Sequence, residues 1–432
     1  MPPHRFDIAR YLHVRSAAGP GFAPDGRFVS FLSNVTGITQ LWQVPVEGGW
    51  PTQLTFTGDS VRGAWYNPRR PELVFSMDRG GNEQTQLYGL RGFAGNTDHG
   101  LGDGWDYTDL TRQPKAVHQF GGWSHDGEAF AFSANRADPS RFDVYVTKGG
   151  KGDARLLQEG PGGYYQAEAW SPDDRHLLVR RVESNFNQDL YLLDVAGGRA
   201  RRLTPHQGEA IYLSPAWSAD GRFVYCASTE GGRDRAGLAR IDVAAGKLSF
   251  IETPDHEVES VRASPGGRWL AWVTNVGGQS GLFVRDLRAS RILPRPELPL
   301  GVVRDLVFAR DDSRLAFVFD GPRHNPDAWL WDLTGPRGAA APPYQLTHSS
   351  MAGIPPEQLV TPVLVHYKTF DGRMIPAWFY PVPAEGGRLP PVIVYPHGGP
   401  ESQTRPTFNP IFQFFLQHGY AILAPNVRGS SG

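Results

Sequence analysis

The sequence predicts two architectures in series: an all-β seven-bladed β-propeller, then the first part of an α/β domain. Three observations carry this. A short frame ending in an Asp-Gly-type turn and an alternating strand returns seven times between Phe22 and Thr347. A second landmark, a polar residue followed by an apolar and usually aromatic pair, returns once inside every copy. After the repeats stop, an apolar run, a glycine loop, a helical pattern and a second apolar run follow in the order of a βαβ-type unit.

The chain opens with Asp7 to Arg15, read as a short helix that Asp7 caps, with Ile8, Tyr11 and Leu12 on one face. After Gly19 the pattern changes to short strands and turns. The first copy reads Phe22-Ala-Pro-Asp-Gly-Arg. The frame returns at Trp65-Tyr-Asn-Pro, Trp123-Ser-His-Asp-Gly, Trp170-Ser-Pro-Asp-Asp, Trp217-Ser-Ala-Asp-Gly, Ala263-Ser-Pro-Gly-Gly and Ala309-Arg-Asp-Asp. Most copies lie roughly 45 residues apart, the length of one four-stranded blade. The second landmark stands at Gln40, Gln86, Asp143, Asp189, Gly237, Gly281 and Asp327. Several copies then close on a Leu-Thr pair: Leu54-Thr55, Leu110-Thr111, Leu203-Thr204 and Leu346-Thr347. A blade cannot bury both faces alone, so the recurring Trp and Tyr residues are expected to pack blade against blade. The Asp-Gly turns need residues that tolerate positive φ.

Ser349 to Glu357 reads as a linker. Thr361 to Tyr367 and Met374 to Tyr380 alternate around Phe370-Asp371-Gly372-Arg373 and form a hairpin, expected at the antiparallel edge of the coming sheet. Val392 to Tyr395 is expected to be a buried strand. His397-Gly398-Gly399-Pro400 follows, then a helical pattern over Pro406 to His418 that Gly419 stops, then a buried strand from Tyr420 to Leu423. The expected boundaries are 1–19 for the helix and lead-in, 20–350 for the propeller and 351–432 for the linker and α/β part.

Composition narrows the partners. The 432 residues carry a formal net charge of −1 and hold one cysteine. With a pI near 6.9 and no basic stripe, neither nucleic acid nor an anionic membrane surface is an expected partner. Cys226 cannot form an intrachain disulfide, and its strand context makes it a small buried apolar residue. The start lacks the apolar core of a secretory signal, so a cytoplasmic protein is expected. The histidines show neither H-E-x-x-H nor paired Cys/His spacing, so no metal site is expected.

The strand, His397-Gly398-Gly399-Pro400, the helix and GYAILAPNVRGSSG together resemble the prolyl oligopeptidase family of serine peptidases, in its acylaminoacyl-peptidase-like branch. The resemblance covers essentially the whole chain and makes its C-terminal part the N-terminal part of an α/β-hydrolase domain. It implies a serine-type oligopeptidase or exopeptidase acting on short peptides by acyl transfer, with the propeller limiting access. It implies no cofactor, and it implies a homo-oligomer. In that family the nucleophile sits in a G-x-S-x-G elbow, with the acid and the histidine later in the chain. No such elbow occurs here. Gly278-Gln279-Ser280-Gly281 fails at the last glycine, and Gly429-Ser430-Ser431-Gly432 has the wrong spacing. The triad is therefore expected beyond Gly432 and this chain alone is expected to be inactive. A truncation or a nick would explain that ending, the latter leaving a separate C-terminal peptidase fragment as partner.

For the residues present, the resemblance points to Gly399 as an oxyanion-hole N–H donor. His397, Gly398 and Arg428 are candidate binding or loop-bracing residues. His397 is not the triad histidine, which comes last in this fold. Adjacent glutamates, which hold a free amino terminus in dipeptidyl-peptidase relatives, are absent. Two other classes remain: a non-catalytic TolB-like binding propeller, and an esterase whose propeller is a lid.

Overall fold

The computed structural model describes residues 5–91, 107–148, 154–158, 163–399 and 401–432; Pro400 of the glycine loop lies outside them. Among the described residues the strands form eight four-stranded sheets. Seven are antiparallel meanders in simple chain order, from Ala17–Phe22 in the first to Tyr344–Gln345 in the last.

Local chemistry explains why the frame repeats. The turn glycines Gly26, Gly127, Gly221 and Gly267 lie at φ between +70° and +74°, and Asp174 and Asp312 fill the same position at +57° and +60°. Only residues tolerant of the left-handed region fit there. A serine staples several of these turns. Ser124, Ser171 and Ser218 each donate to the aspartate two residues on at 2.6 Å and accept the N–H that starts the next strand.

The Leu-Thr pairs have an equally local cause. Thr55, Thr111, Thr204 and Thr347 each place Oγ1 where it accepts a third-strand N–H, from Leu41, Leu87, Leu190 and Ala328 at 2.9–3.1 Å. All four hydroxyls donate to the polar landmark residue: Thr55 to Gln40 and Thr111 to Gln86 at 2.9 Å, Thr347 to Asp327 at 2.6 Å and Thr204 to Asp189 at 3.4 Å. The short fourth strand is thereby tied to the third, and the buried hydroxyls of these four threonines are hydrogen-bonded.

Between the sheets the packing is apolar. Leu41 and Leu54 of the first sheet meet Val61, Leu73 and Phe75 of the second. Comparable clusters link every following pair. The last joins Phe22, Val29 and Phe31 to Ala309, Ala316 and Leu330, so the first sheet also packs on the seventh. The ring closes through side chains, because no strand is shared between sheets. Each fully buried leucine in these seams contributes about 1.5–3 kcal/mol. The third and fourth sheets approach so closely that a Cβ on Gly121 would sit 2.4 Å from that of Ala167.

Several expectations need correction. The first strand begins at Ala17, ahead of Gly19. Not every tryptophan is core: Trp269 and Trp331 are buried, but Trp50 and Trp65 are exposed. The N-terminal helix α1 spans only Ile8–Leu12, with Asp7 accepting the Ala9 N–H at 2.8 Å. Leu12 is exposed, and only Tyr11 is buried within the helix. Tyr11 packs with Ile354 and Leu359, and its ring meets Phe414 edge-on at 6.1 Å. The helix that precedes the meanders therefore covers the segment that follows them, and the expected linker is part of this packing.

The eighth sheet is mixed. Its order is Val363–Lys368, Met374–Tyr380, Ala421–Pro425 and Val392–Val394, and the last pair is parallel. The hairpin stands at one edge, as expected. Val392–Val394 is the opposite edge, and Val392 and Val394 are exposed where a buried strand was expected. A single neighbour leaves half of this strand uncovered. Helix α2 (Pro410–Gln417) makes the crossover. It begins four residues later than the apolar spacing suggests, because Asn409 accepts the Ile411 and Phe412 N–H groups at 3.0 Å and Pro410 takes the first helical position. The final strand likewise starts at Ala421, leaving Tyr420 exposed.

Candidate functional site

The glycine loop leaves the end of strand Val392–Val394. Gly399 lies at φ +62°, where a side chain is strained. A Cβ on Gly398 would meet nothing within 4 Å, and one on Gly399 would meet only Ser402 at 4.0 Å. Neither glycine is there to relieve crowding. The positive φ requires Gly399, and the loop backbone faces open space.

Hydrogen bonds hold this loop to the C-terminal stretch. Ser402 N–H donates to the Gly399 carbonyl at 2.8 Å, closing a turn. His397 Nε2 lies 2.8 Å from Ser430 Oγ, and its Nδ1 is 3.2 Å from the Gly398 carbonyl. Ser431 N–H donates to the Ser402 carbonyl at 3.2 Å. Buried Asn426 accepts the Thr404 N–H at 2.7 Å and donates to the Thr404 carbonyl at 3.2 Å. His397, Gly398, Gly399 and Ser430 thus share one small surface. Among the described residues no carboxylate meets the other ring nitrogen of His397, so the His397–Ser430 pair lacks the orienting group of a catalytic triad.

Arg428 is directed elsewhere. It pairs with Asp371 on the hairpin turn, donates to Thr369 Oγ1 at 3.3 Å and lies 5.6 Å over the Phe370 ring. The hydrogen bond from Arg428 holds the Asp371 carboxyl well below the usual carboxylate range. This arginine braces the hairpin against the C-terminal stretch.

A second group of residues has no local signature in the sequence. Arg405 Nη1 donates to both oxygens of Glu259 at 2.9 and 3.0 Å, and its Nε donates to the Gly278 carbonyl at 2.8 Å. Asn275 Nδ2 donates to Glu259 at 2.9 Å and to Gln403 at 2.8 Å. Glu257, two residues from Glu259, has its carboxyl pushed up by burial and by the Glu259 charge, against the pull of Arg235, Arg405 and the Gly432 N–H. These contacts seat the 403–432 segment on the sixth sheet. Nearby, Asp320 of the seventh sheet accepts the Phe408 N–H at 2.9 Å and an Arg304 N–H at 2.7 Å. Burial pushes its carboxyl up to about 6. No local pattern could have found pairs 88 to 146 residues apart.

Gly398 and Gly399 are both exposed at this turn. Among the described residues no group of three His, Cys, Asp or Glu is placed to hold a metal, and no helix is long and apolar enough to cross a membrane. Cys226 is fully buried, and burial pushes its thiol up.

A family model described as TolB beta propeller domain matches residues 102–301. Dipeptidyl aminopeptidase BIII of Pseudoxanthomonas mexicana is 24% identical, over 95% of this chain and 59% of its own length. Dipeptidyl-peptidase 5 of Porphyromonas gingivalis is 23% identical, over 96% and 59%. The chain thus spans about 59% of these relatives' length. Among solved structures, a puromycin hydrolase superposes with a TM-score of 0.83 at 17% identity, over 99% of this chain and 69% of that one. A prolyl endopeptidase superposes with a TM-score of 0.76 at 17% identity, over 98% and 63%. The propeller-like meanders, the glycine loop with its crossover helix and these likenesses agree: the chain is similar, over nearly its whole length, to peptidases of the prolyl oligopeptidase type, with a TolB-like propeller.

Proposed function

We propose that this chain forms the seven-bladed propeller, residues 20–350, and the first part of the α/β-hydrolase domain, residues 351–432, of a serine-type peptidase for short peptides. The closed ring of seven meanders supports the first assignment, and the parallel pair with its crossover helix supports the second. One observation carries the catalytic part: an exposed loop at the end of a strand, with Gly399 at φ +62° and open space where a side chain would stand. In this reading Gly399 N–H donates to the oxyanion of the tetrahedral intermediate, and His397 with Ser430 keeps the loop in place. One such donor contributes about 3 kcal/mol to transition-state stabilisation. The 432 residues contain no G-x-S-x-G, so the nucleophile and its partners are assigned to a part of the protein that this chain does not span. Peptides reach the reacting centre through space that the propeller bounds, which selects for short ones.

Which peptide end is held is a separate choice. The acylaminoacyl-peptidase-like reading takes a blocked amino terminus. Two relatives are named for dipeptide release, and Glu257 is a partly buried carboxylate beside the 403–432 segment, which favours a free amino terminus as the second reading. The test is to read the coding sequence past Gly432 to its stop codon and assay its product on matched anilide peptides with free and acetylated amino termini. Cleavage of acetylated substrates supports the first reading and cleavage of free ones the second. If neither is cut and no elbow is encoded, the protein is a binding propeller. In the active product Gly399→Ala keeps the N–H but strains the backbone at φ +62° and so displaces the donor; it is expected to lower kcat by about 100-fold with KM little changed. An unchanged kcat would remove the oxyanion role.

A further inference from the structure

A cavity of about 690 Å³ opens where the inner strands of five meanders end in their turns. It lies away from the glycine loop. The inner strand of the sixth sheet, Glu257–Ala263, begins at the seam with the 403–432 segment and delivers Arg262 to the cavity at its other end. Five residues of strand separate Glu257 from Arg262, about 16 Å.

One wall is aromatic and fixed. Trp65 stacks on Phe120 with centroids 4.5 Å apart and planes 20° from parallel. Trp123 donates its indole N–H to the Trp65 carbonyl at 3.2 Å. The Trp65 ring lies over Gly63, where a Cβ would come within 2.6 Å of it. Trp65 is nevertheless exposed, an aromatic face turned to the cavity rather than to the core.

The lining also carries a surplus of positive charge. Arg62 and His125 also line the cavity, but each has its own carboxylate, Asp78 at 3.0 Å and Asp174 at 2.8 Å. Arg262 and Arg310 have none within ion-pair distance among the described residues; Arg262 donates only to the Val261 carbonyl, at 3.2 Å. Both are reached by solvent, yet burial lowers the pKa of both, as befits guanidinium groups in a concave wall. The Arg69 charge pushes Arg310 in the same direction. Among the described residues Asp305 is the cavity's one carboxylate; it accepts the Gly19 N–H at 3.2 Å, and its charge, with that of Glu168, acts on Arg262 against the effect of burial.

We propose that this cavity binds an aromatic carboxylate, with Arg262 and Arg310 receiving the carboxylate and the Trp65–Phe120 wall packing the ring. A guanidinium matches a carboxylate with two parallel hydrogen bonds, and an aromatic face gains from stacking a second ring. A free aromatic acid and the carboxyl-terminal aromatic residue of a peptide present the same chemistry. The inference does not depend on the peptidase reading.

The test uses the 432-residue chain and calorimetric titration with N-acetylphenylalanine, with its neutral amide as control. Saturable binding of the acid is expected, with the amide at least about tenfold weaker. Arg262→Gln and Arg310→Gln should each weaken binding about tenfold, while Arg262→Lys keeps part of it. Trp65→Leu should weaken acid and amide alike, and remains informative if an arginine variant fails to fold. Glycylglycylphenylalanine and phenylacetate separate the two sources: tighter tripeptide binding marks a peptide carboxyl terminus, and tighter phenylacetate binding a free acid. The proposal is overturned if acid and amide bind equally, if the glutamine variants bind like the parent, or if no saturation occurs by about 10 mM.

Discussion

Asp320 gives the sharpest test of how the propeller-like ring holds the C-terminal segment. Its carboxylate is 4% exposed, yet it accepts the Phe408 N–H and pairs with Arg304. Burial outweighs both and raises the folded pKa from 3.8 to about 6. The folded state therefore binds a proton that the unfolded state releases between about pH 4 and pH 6. Its contribution to stability is fully present below pH 3.8 and is lost as pH rises through 6. A shift of about two units corresponds to about 3 kcal/mol at 1.36 kcal/mol per unit. Asp320→Asn keeps the acceptor for Phe408 and removes the titration. Urea midpoints of parent and variant, measured from pH 3.5 to 7.5, isolate this group because all others cancel in the difference. The parent is expected to lose about 3 kcal/mol relative to the variant across the window. Parallel curves would show that Asp320 does not titrate there. A parent that gains on the variant as pH rises would show that Arg304 and the N–H, not burial, set the carboxyl.

Three further perturbations follow from the packing. Arg405→Ala strands Glu259, which keeps only its bond from Asn275, and should loosen the 403–432 segment by about 2–3 kcal/mol; faster limited proteolysis within that segment, with meander cleavage unchanged, is the readout. Thr347→Val leaves the Ala328 N–H without its acceptor and removes one donor to the buried Asp327, for a loss of about 1–3 kcal/mol in chemical denaturation. Gly121→Val forces atoms against the Ala167 backbone, 2.9 Å from the position of a Cβ, and should lower stability by about 3 kcal/mol or abolish soluble expression. Gly122→Ala, whose Cβ meets only Trp170 at 3.6 Å, should suffer chiefly from its φ of +108° and so separates crowding from backbone strain.

Much of this molecule is written locally. Gln40, Thr55 and the Asp25-Gly26 turn belong to one meander, and the bonds that make them recur span at most a few tens of residues. That is why the repeat could be read from residue types and spacing. The same holds for His397-Gly398-Gly399 between its strand and helix, because a positive φ and a strand-to-helix turn are properties of a short stretch. Helix ends were less legible: the apolar spacing from Phe408 to Leu416 suggests an earlier start, but Asn409 and Pro410 fix where the backbone can begin to coil. What only the tertiary structure decided is what meets what at long range. It placed Tyr11 against Phe414, sent Arg428 to Asp371, seated Arg405 on Glu259 and turned Trp65 outward into a cavity instead of inward to a core. These pairings depend on how the ring, the eighth sheet and the two helices bring distant segments together, and residue spacing carries no record of that.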